Sequence, residues 1–359
     1  MILKKTGILA LFIFLVSSLA YSGESEEKHH EEINGHEKFE PGPFIMDHIL
    51  DSYDWHVATF GETHISIPLP VILISKHSGF HIFLSSKFHH GHSSYKNFEI
   101  ASEGEFKGKV VELLEDGSYY LPFDISITKN VAAILFTLIL ISWLFISIAN
   151  KYKKNTSSAP TGMQNALEPF ILFVRDDIAR PAIGEKKYER FMPYLLSIFF
   201  FIFISNLMGL IPFPPFGANV TGNIAVTFVL ALFTFIITTF VGNKYYWKHI
   251  FWPDGVPVWL KIPPIMPMVE LIGVFTKPFV LMVRLFANIA AGHIIVLGFF
   301  SLIFIFGNMN VGTGYAVSVG SVAFAIFMTM LELLVAIIQA LVFTLLSAIY
   351  FGMAVEEHH

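Results

Sequence analysis

The sequence predicts an all-α polytopic membrane protein with about five membrane helices and a small exported β-rich segment at its N-terminus. Charged residues make up 14% of the 359 residues, where soluble domains have about 25%, and the mean hydropathy is +0.62. Long apolar stretches follow residue 130, and basic residues cluster in alternate loops between them. The beginning of the chain has the pattern of an export signal.

The same composition excludes several classes of protein. So few charged residues rule out an ordinary soluble enzyme and a disordered chain. The net charge of −5 argues against nucleic acid as a partner. Because the chain has no cysteine, disulfides, thiolate metal sites and cysteine nucleophiles are also excluded.

Residues 1–20 are interpreted as a signal peptide. Lys4 and Lys5 form a positively charged start, an almost wholly apolar stretch follows, and small residues precede the expected cleavage site near Ala20. An uncleaved anchor helix is the alternative. With either interpretation, the residues that follow begin outside the cytoplasm.

The exported part continues to residue 127 and divides in two. Residues 21–43 are acidic, contain histidine and are interpreted as a flexible tail. Residues 44–127 form the β-rich segment, which opens with a possible short amphipathic helix over 44–55. Gly and Pro then separate β-branched and aromatic runs that predict strands, among them 64–75, 80–85 and 109–114.

Histidine is concentrated in this exported part, where 11 of the 15 histidines precede residue 93. The densest run contains His89, His90 and His92. These side chains could bind a metal or buffer protons, or they could lie in a solvated loop and need no ligand. The spacing defines no ligand geometry, so the loop is favoured and no metal site is predicted.

Residues 128–359 are interpreted as the membrane domain. A hydrocarbon core of roughly 30 Å needs about 20 apolar residues per helix, and three stretches match this length. They are residues 131–149, 191–211 and 224–241. Two further stretches, roughly 264–306 and 315–355, are about twice as long and must tilt strongly, kink or break. We expect these two to pair as a hairpin that turns at the Gly-rich loop 307–314.

Between the first two spans, residues 163–180 predict one further helix. Apolar residues recur there at helical spacing from Met163 to Val174, and charged residues begin at Arg175. This pattern is typical of a helix that lies along the inner membrane interface. A loop helix that packs on its own protein is the alternative.

The positions of the basic residues predict the orientation of the chain. Lysine and arginine are concentrated after the first span, before the second and after the third, whereas residues 212–223 and 307–314 contain neither. Together with the export signal, this asymmetry predicts a multi-pass protein of the bacterial inner membrane. Its N-terminal segment should be periplasmic and its C-terminus cytoplasmic.

Ionisable residues are rare in the last two apolar stretches, and Arg284 is the most unusual of them. It has no acidic residue within ten positions on either side. A buried arginine at the centre of a bilayer costs at least about 2.5–3.5 kcal/mol, and it cannot lose its proton. Arg284 should therefore face a water-filled cavity or a carboxylate supplied from elsewhere.

Other polar residues could share a helix face with Arg284. Glu270, Lys277 and Arg284 are spaced by seven residues, so a continuous helix would place them along one stripe. Asn288 lies one turn further on that side. Pro278 interrupts the stripe and should bend the helix, since it removes a backbone hydrogen bond.

His293 and Glu332 could form a pair across the hairpin. They lie about 19 and 20 positions from a turn near residue 312, which is a matched depth along two helices. A pair of histidine and carboxylate could pass protons, because histidine titrates near neutrality. A structural pair that sets the helix register is the alternative. Gln339 lies seven residues after Glu332 and shares its face.

These residues resemble the signature of a known family, the a subunit of the F-type ATP synthase membrane sector. The signature is carried by Lys277-Pro278, Arg284-Leu285-Phe286-Ala287-Asn288 and Ala291-Gly292-His293. Residues 206–212, Gln339 and residues 353–358 are also similar to the family. The resemblance covers roughly residues 125–359. Some bacterial relatives have the acid and the imidazole exchanged at positions 293 and 332, and many have glycine in place of Ala287.

The resemblance implies a proton-translocating stator subunit that provides two half-channels, so that ion flow drives rotation and ATP synthesis. Glu270 would lie near one of the half-channels, with Lys277 and Pro278 as supporting residues. The complete set of implied translocation residues is Arg284, His293, Glu332, Gln339, Asn288 and Glu270.

The family also implies roles for the remaining residues, some of which face the ring and some of which line the other half-channel. Arg284 would be the essential arginine that faces the rotating ring of c subunits, and Gln339 would lie beside it. Asn288 and His293 would line the half-channel, with Glu332 opposite His293. The exchange of acid and imidazole among relatives supports contact between the two positions.

The implied partners are the c-subunit ring, the b subunits of the peripheral stalk, other ATP synthase subunits and membrane lipid. No cofactor is implied, and the lack of a Gly-rich phosphate loop predicts that the chain does not bind ATP itself. An ion-coupled secondary transporter is the alternative, but it would show internal repeats with corresponding broken helices. A structural anchor for the exported part would leave the costly membrane charges without a purpose.

Overall fold

The computed structural model describes residues 40–60, 63–91, 93–154, 161–211, 214, 216–252 and 265–356. The signal peptide predicted over 1–20 and the predicted tail as far as residue 39 lie outside the described residues. Contacts divide the chain into two compact units. Unit 1 comprises Met1–Phe136, Met208–Ala225 and Ala290–Leu331, and unit 2 comprises Thr137–Leu207, Val226–Ile289 and Glu332–His359.

The described part of unit 1 opens with helix α1 (Pro41–Ile49). The helix predicted over 44–55 is therefore displaced towards the N-terminus. Pro41 fits the first turn of a helix, where its missing N–H is not needed. After α1 the chain is extended, because Tyr53 is buried in the core of the β-rich segment.

Short strands confirm the β-rich segment. They are β1 (Asp54–Phe60), β2 (Thr63–Pro68), β3 (Pro70–Ser75), β4 (Gly79–Leu84), β5 (Phe98–Ile100), β6 (Val110–Leu113), β7 (Tyr119–Tyr120) and β8 (Phe123–Asp124). They form antiparallel sheets ordered β1-β2, β4-β3-β8 and β5-β6-β7. The run predicted over 64–75 is split at Leu69, since Pro68 and Pro70 on either side cannot donate to a strand ladder. The buried core consists of Tyr53, Val71, Leu73, Phe88, Phe98 and Val110.

The densest histidine run lies on a 3₁₀ helix, Ser85–Gly91, between β4 and β5. Phe88 is fully buried and anchors this helix in the core, while His89 is exposed. His92 lies outside the described residues. Within the described ranges, no three His, Asp or Glu side chains are grouped closely enough to hold a metal ion.

The remainder of the chain is helical. Its helices are α2 (Lys129–Lys154), α3 (Met163–Phe173), α4 (Arg180–Ile183), α5 (Tyr188–Gly209), α6 (Ile224–Val241), α7 (Lys244–Phe251), α8 (Ile265–Met309) and α9 (Val311–Val355). Among the described residues, five of these are long and apolar enough to cross a membrane: α2, α5, α6, α8 and α9. The predicted spans are thereby confirmed, with the last two more than twice the length of α6.

The turn between α8 and α9 differs from the prediction. The predicted Gly-rich loop 307–314 is wrong, because helix occupies both sides of a single non-helical residue, Asn310. The Asn310 side chain accepts a hydrogen bond of 2.8 Å from the N–H of Gly312 and so caps α9. A Cβ on Gly314 would lie 2.7 Å from Cα of Gly307, so these glycines permit close approach of two helix ends.

Helix α8 also continues through Pro278 without a break. A proline inside a membrane helix is tolerated when neighbouring groups satisfy the freed backbone carbonyl. Each long stretch was expected to tilt, kink or break, and the continuous helix α8 excludes only the break. Near the turn, the rings of Phe299 on α8 and Phe324 on α9 stack with centroids 5.1 Å apart. This contact sets the register of the hairpin within unit 1.

The helix predicted over 163–180 forms as α3, a π-helical turn Val174–Ala179, and α4. Val174 and Ala179 are buried within unit 2, whereas the charged residues between them face outwards. The end of the segment lies against α9. The two backbones are so close there that a Cβ on Gly352 would collide with the backbone carbonyl of Ala182. The C-terminal turn of α9 thus packs directly on α4.

In unit 1, Asp51 fastens the β-rich segment to the start of α2. Its carboxylate accepts hydrogen bonds from Thr128 Oγ1 at 2.7 Å and from the N–H of Asn130 at 2.9 Å. The N–H of Lys129 donates to Ser52 O at 2.8 Å. Burial raises the pKa of Asp51, and the hydrogen bonds from Thr128 and Asn130 oppose that rise.

We expect Asp51→Ala to lower the free energy of unfolding by about 1–2 kcal/mol, because it leaves the Asn130 N–H of α2 and the Thr128 hydroxyl without their acceptor. Asp51→Asn is the matched control, since it keeps an oxygen acceptor and removes the buried charge. Thermal unfolding of the intact chain in detergent measures both variants. Equal stability of the alanine variant and the native chain would contradict the capping role.

Candidate functional site

Arg284 lies on an outward-facing stripe of α8. In unit 2 this stripe contains exposed apolar residues, among them Phe279, Val280 and Val283, which are 60%, 46% and 36% exposed. Arg284 is itself exposed, as is Asn288 one turn later. Arg284 therefore lies on an exposed surface of unit 2 whose other side chains are mostly apolar.

The stripe belongs to a helix that its own chain barely covers. In the most apolar stretches of α8 and α9 only 17% and 22% of residues are buried, against 56% in α5. Exposed apolar surface of this extent is typical of contact with lipid or with another subunit. The long helices therefore present their faces to something other than this polypeptide.

No carboxylate of the described residues lies within ion-pair distance of Arg284. The ion pairs in that part of the chain join Asp176 to Arg175 and Arg180, and Glu185 to Arg180. The guanidinium of an arginine carries a positive charge that needs a counter-charge or water when it lies in hydrocarbon. The counter-charge that the sequence analysis requires for Arg284 is thus not supplied by the described chain.

Glu270 and Lys277 lie on the same continuous helix as Arg284, as the spacing predicts. Both are half-buried. Lys277 Nζ lies over the ring of Tyr350 on α9, 5.7 Å from its centroid, which is a cation–π contact. Lys277 and Pro278 also line a small crevice with Thr234 of α6. Its internal volume of ≈ 10 Å³ is about that of a single water-sized probe.

Glu332 and Gln339 are buried on α9, each with 6% of its surface exposed. Asn206, near the C-terminal end of α5, donates from Nδ2 to the carbonyl oxygen of Ala336 at 3.3 Å. This contact fixes α5 against the stretch of α9 between the two polar residues. Asn206 belongs to the segment 206–212 that resembles the family, and a polar residue in an apolar helix is a signal of such a contact.

His293 is half-buried in unit 1, beside the C-terminal end of α5. Its Nε2 lies 3.7 Å from the position that a Cβ on Gly209 would take, and the Ala218 carbonyl oxygen lies 3.3 Å from the same position. A side chain larger than hydrogen at residue 209 would therefore press on a backbone carbonyl and crowd the imidazole. Gly209 is a second residue whose role the sequence alone does not reveal.

A buried chain of hydroxyl groups links three spans of unit 2. Tyr194 Oη of α5 lies 2.8 Å from Thr234 Oγ1 of α6, which lies 3.2 Å from Ser347 Oγ of α9. Thr234 and Ser347 are almost completely buried. Single hydroxyls in apolar helices carry no directional pattern, so this network could not be predicted from the sequence.

Comparison with known proteins identifies two regions of the chain. The model of the family described as ATP synthase A chain matches residues 131–352. A second model, described as Domain of unknown function (DUF8433), matches residues 44–130.

Curated relatives match over most of the chain. ATP synthase subunit a of Chloroherpeton thalassium is 45% identical over 244 residues, which cover 66% of this chain and 69% of the relative. ATP synthase subunit a 2 of Chlorobaculum tepidum is 38% identical over 320 residues, 88% of this chain and 73% of the relative. ATP synthase subunit a of Chlorobium phaeobacteroides (strain DSM 266) is 36% identical over 348 residues, 94% and 82% of the two chains.

These matches do not favour the ion-coupled secondary transporter. They agree with the resemblance found in the residues around Arg284 and His293, and with the five apolar helices that can cross a membrane. The chain is a multi-pass membrane protein that belongs to the ATP synthase subunit a family.

Proposed function

We propose that this chain is the stator subunit that carries protons through the membrane sector of an F-type ATP synthase, with Arg284 facing the ring of c subunits. The single observation that carries this proposal is the outward position of Arg284 on an apolar stripe, without a carboxylate from the described chain. A ring that presents one carboxylate after another would supply the missing counter-charge.

The mechanism follows from the cost of charge in hydrocarbon. A proton enters one aqueous half-channel and neutralises a ring carboxylate, which can then move through lipid at low cost. After rotation the proton leaves through the second half-channel, and the new carboxylate is attracted to Arg284. Because Arg284 stays cationic, it blocks a direct proton path between the half-channels. Each charge moved through the field is worth about 2.3 kcal/mol per 100 mV.

The first half-channel is proposed to contain Asn288, His293 and Glu332. The exchange of acid and imidazole between positions 293 and 332 among relatives supports contact between the latter two. Gln339 is proposed to act beside Arg284.

The second half-channel is proposed to pass near Glu270. Support comes from the crevice beside Lys277, which lies one to two turns along the same helix and has room for about one water molecule. The Lys277 ammonium, held over the Tyr350 ring, would keep Pro278 and the crevice in place. Glu270 lies on the same helix, one turn before Val274, which lines the crevice, and its carboxylate is half-buried.

The partners and the orientation are part of the proposal. The exposed faces of α8 and α9 suit the c-subunit ring, and the b subunits of the peripheral stalk would hold the chain stationary. The protein is proposed to lie in the bacterial inner membrane with its β-rich segment in the periplasm and its C-terminus in the cytoplasm. The basic residues near the ends of α2 and α5 support this orientation.

Cysteine cross-linking tests whether the stripe faces the ring. Because the native chain has no cysteine, Val280→Cys introduces a unique thiol at a position that is 46% exposed. We expect it to form a disulfide, under mild oxidation, with a cysteine placed next to the ring carboxylate of the c subunit. The matched control is Leu281→Cys, whose native side chain is 1% exposed. Equal cross-linking at both positions, or none at Val280, would contradict the proposed interface.

A further inference from the structure

A cleft opens at one end of unit 2, where three membrane helices end together. Helix α5 begins at Tyr188, α6 ends at Val241 and α9 ends at Val355. The rings of Phe191 and Phe351 stack just inside this level, with centroids 4.9 Å apart. The cleft has a volume of ≈ 480 Å³, within the range of small-ligand sites.

The terminal carbonyl groups of α9, which would repel an anion, are already hydrogen-bonded at this cleft. The N–H of Asn243 donates to Ala354 O at 2.9 Å, and Asn243 Nδ2 donates to Glu356 O at 2.6 Å. Lys187 Nζ donates to Val355 O at 2.8 Å. These bonds occupy the last two carbonyl oxygens of α9 and that of Glu356, and they do not involve Lys186 or Arg190.

The lining of the cleft is positively charged. Three basic residues, Lys186, Lys187 and Arg190, face it together with one carboxylate, Glu189. Lys186 and Arg190 are exposed, and the Arg190 guanidinium lies 5.9 Å from the Phe191 ring centroid. The N-terminus of α5 adds the partial positive charge of a helix dipole at the same place.

We propose that this cleft binds the phosphate group of an anionic phospholipid. Its position at the ends of three apolar spans is the depth at which lipid headgroups lie. Basic pockets between membrane helices bind anionic headgroups, and a guanidinium can hold two phosphate oxygens at once. Free inorganic phosphate has the same anionic chemistry, but it lacks the acyl chains that the adjoining apolar helices would contact.

Native mass spectrometry of the intact membrane complex tests this site. Phosphatidylglycerol is added to the complex in neutral detergent, with phosphatidylcholine as the reference lipid. We expect selective retention of phosphatidylglycerol, and a loss of affinity of about 30-fold in the double variant Lys186→Ala/Arg190→Ala, which removes two charges near the lipid. Lys187 is left unchanged because it holds the end of α9.

The matched control is Lys151→Ala/Lys153→Ala, which removes two exposed charges from the end of α2. It should change the affinity for phosphatidylglycerol less than about twofold, since a basic side chain strengthens binding only when it lies near the bound lipid. An equal loss in the control would show non-specific attraction and overturn the site. Unchanged retention in Lys186→Ala/Arg190→Ala would do the same. Displacement of phosphatidylglycerol by an equal concentration of inorganic phosphate would identify free phosphate as the ligand and overturn the lipid assignment.

Discussion

Replacement of Arg284 by alanine should abolish proton-driven ATP synthesis while the complex stays assembled. The side chain is exposed on its own chain, so its removal costs little packing. In the proposed mechanism, its removal would leave the ring carboxylates without a fixed cation between the half-channels, and protons could then pass without rotation. We expect at least about a 100-fold loss of synthesis, typical of removing a preorganised electrostatic contact. Inverted membrane vesicles measure synthesis and proton leak together.

Two further variants separate charge from packing at this position. Arg284→Lys keeps a positive charge, but its ammonium is more strongly hydrated and can lose its proton when buried, so we expect only partial coupling. Ile139→Ala shortens an exposed apolar side chain of α2, which has no part in the proposed ring interface, and should leave coupling unchanged. Normal synthesis in Arg284→Ala would refute the assignment of this residue.

An exchange of His293 and Glu332 should restore proton transport that each single substitution removes. His293→Glu alone places two acids in the proposed half-channel, and Glu332→His alone places two imidazoles there. Neither combination pairs an acid with a base, so each single variant should transport at least about tenfold more slowly. The double variant His293→Glu/Glu332→His restores one acid and one imidazole and should recover most of the rate.

Proton uptake into proteoliposomes under an imposed potential measures these three variants. An additive loss in the double variant would show that the two residues act independently. A matched control exchange would use positions that the structure places away from the site, such as Thr313→Ser and Ser318→Thr, which lie near the turn of the hairpin. Their exchange should leave the transport rate unchanged.

The spans could be predicted closely because the bilayer leaves few choices. With no water in the hydrocarbon, an apolar stretch of this length must satisfy its backbone internally as a helix. The predicted span over 224–241 therefore has the same limits as α6. The signature residues from Lys277 to His293 could also be found without coordinates, since their order along the chain is specific.

The turn of the hairpin could not be predicted in the same way. Several glycines in a short stretch usually indicate a loop, because glycine lacks helix propensity. Here Gly307 and Gly314 allow the ends of α8 and α9 to approach closely, and Asn310 alone makes the turn. The close contact between Gly307 and Gly314 allows the two helices to continue almost to the turn, and helix propensity does not predict such a contact.

The partners of polar residues inside the spans could not be predicted from the sequence either. Asn206 and the hydroxyls of Tyr194, Thr234 and Ser347 find their partners on neighbouring helices. The sequence shows which residues of a helix are polar, but only packing against the neighbouring helices determines which of them are buried.

Sequence alone established the number of spans, the membrane setting and the presence of a cation that no nearby acid neutralises, because composition and charge are properties of the linear chain. Folding in three dimensions set the outward direction of Arg284, the burial of Glu332 and Gln339, and the cleft at the ends of α5, α6 and α9. These features depend on which helix faces meet, and that choice is made by packing between segments that lie far apart in the chain.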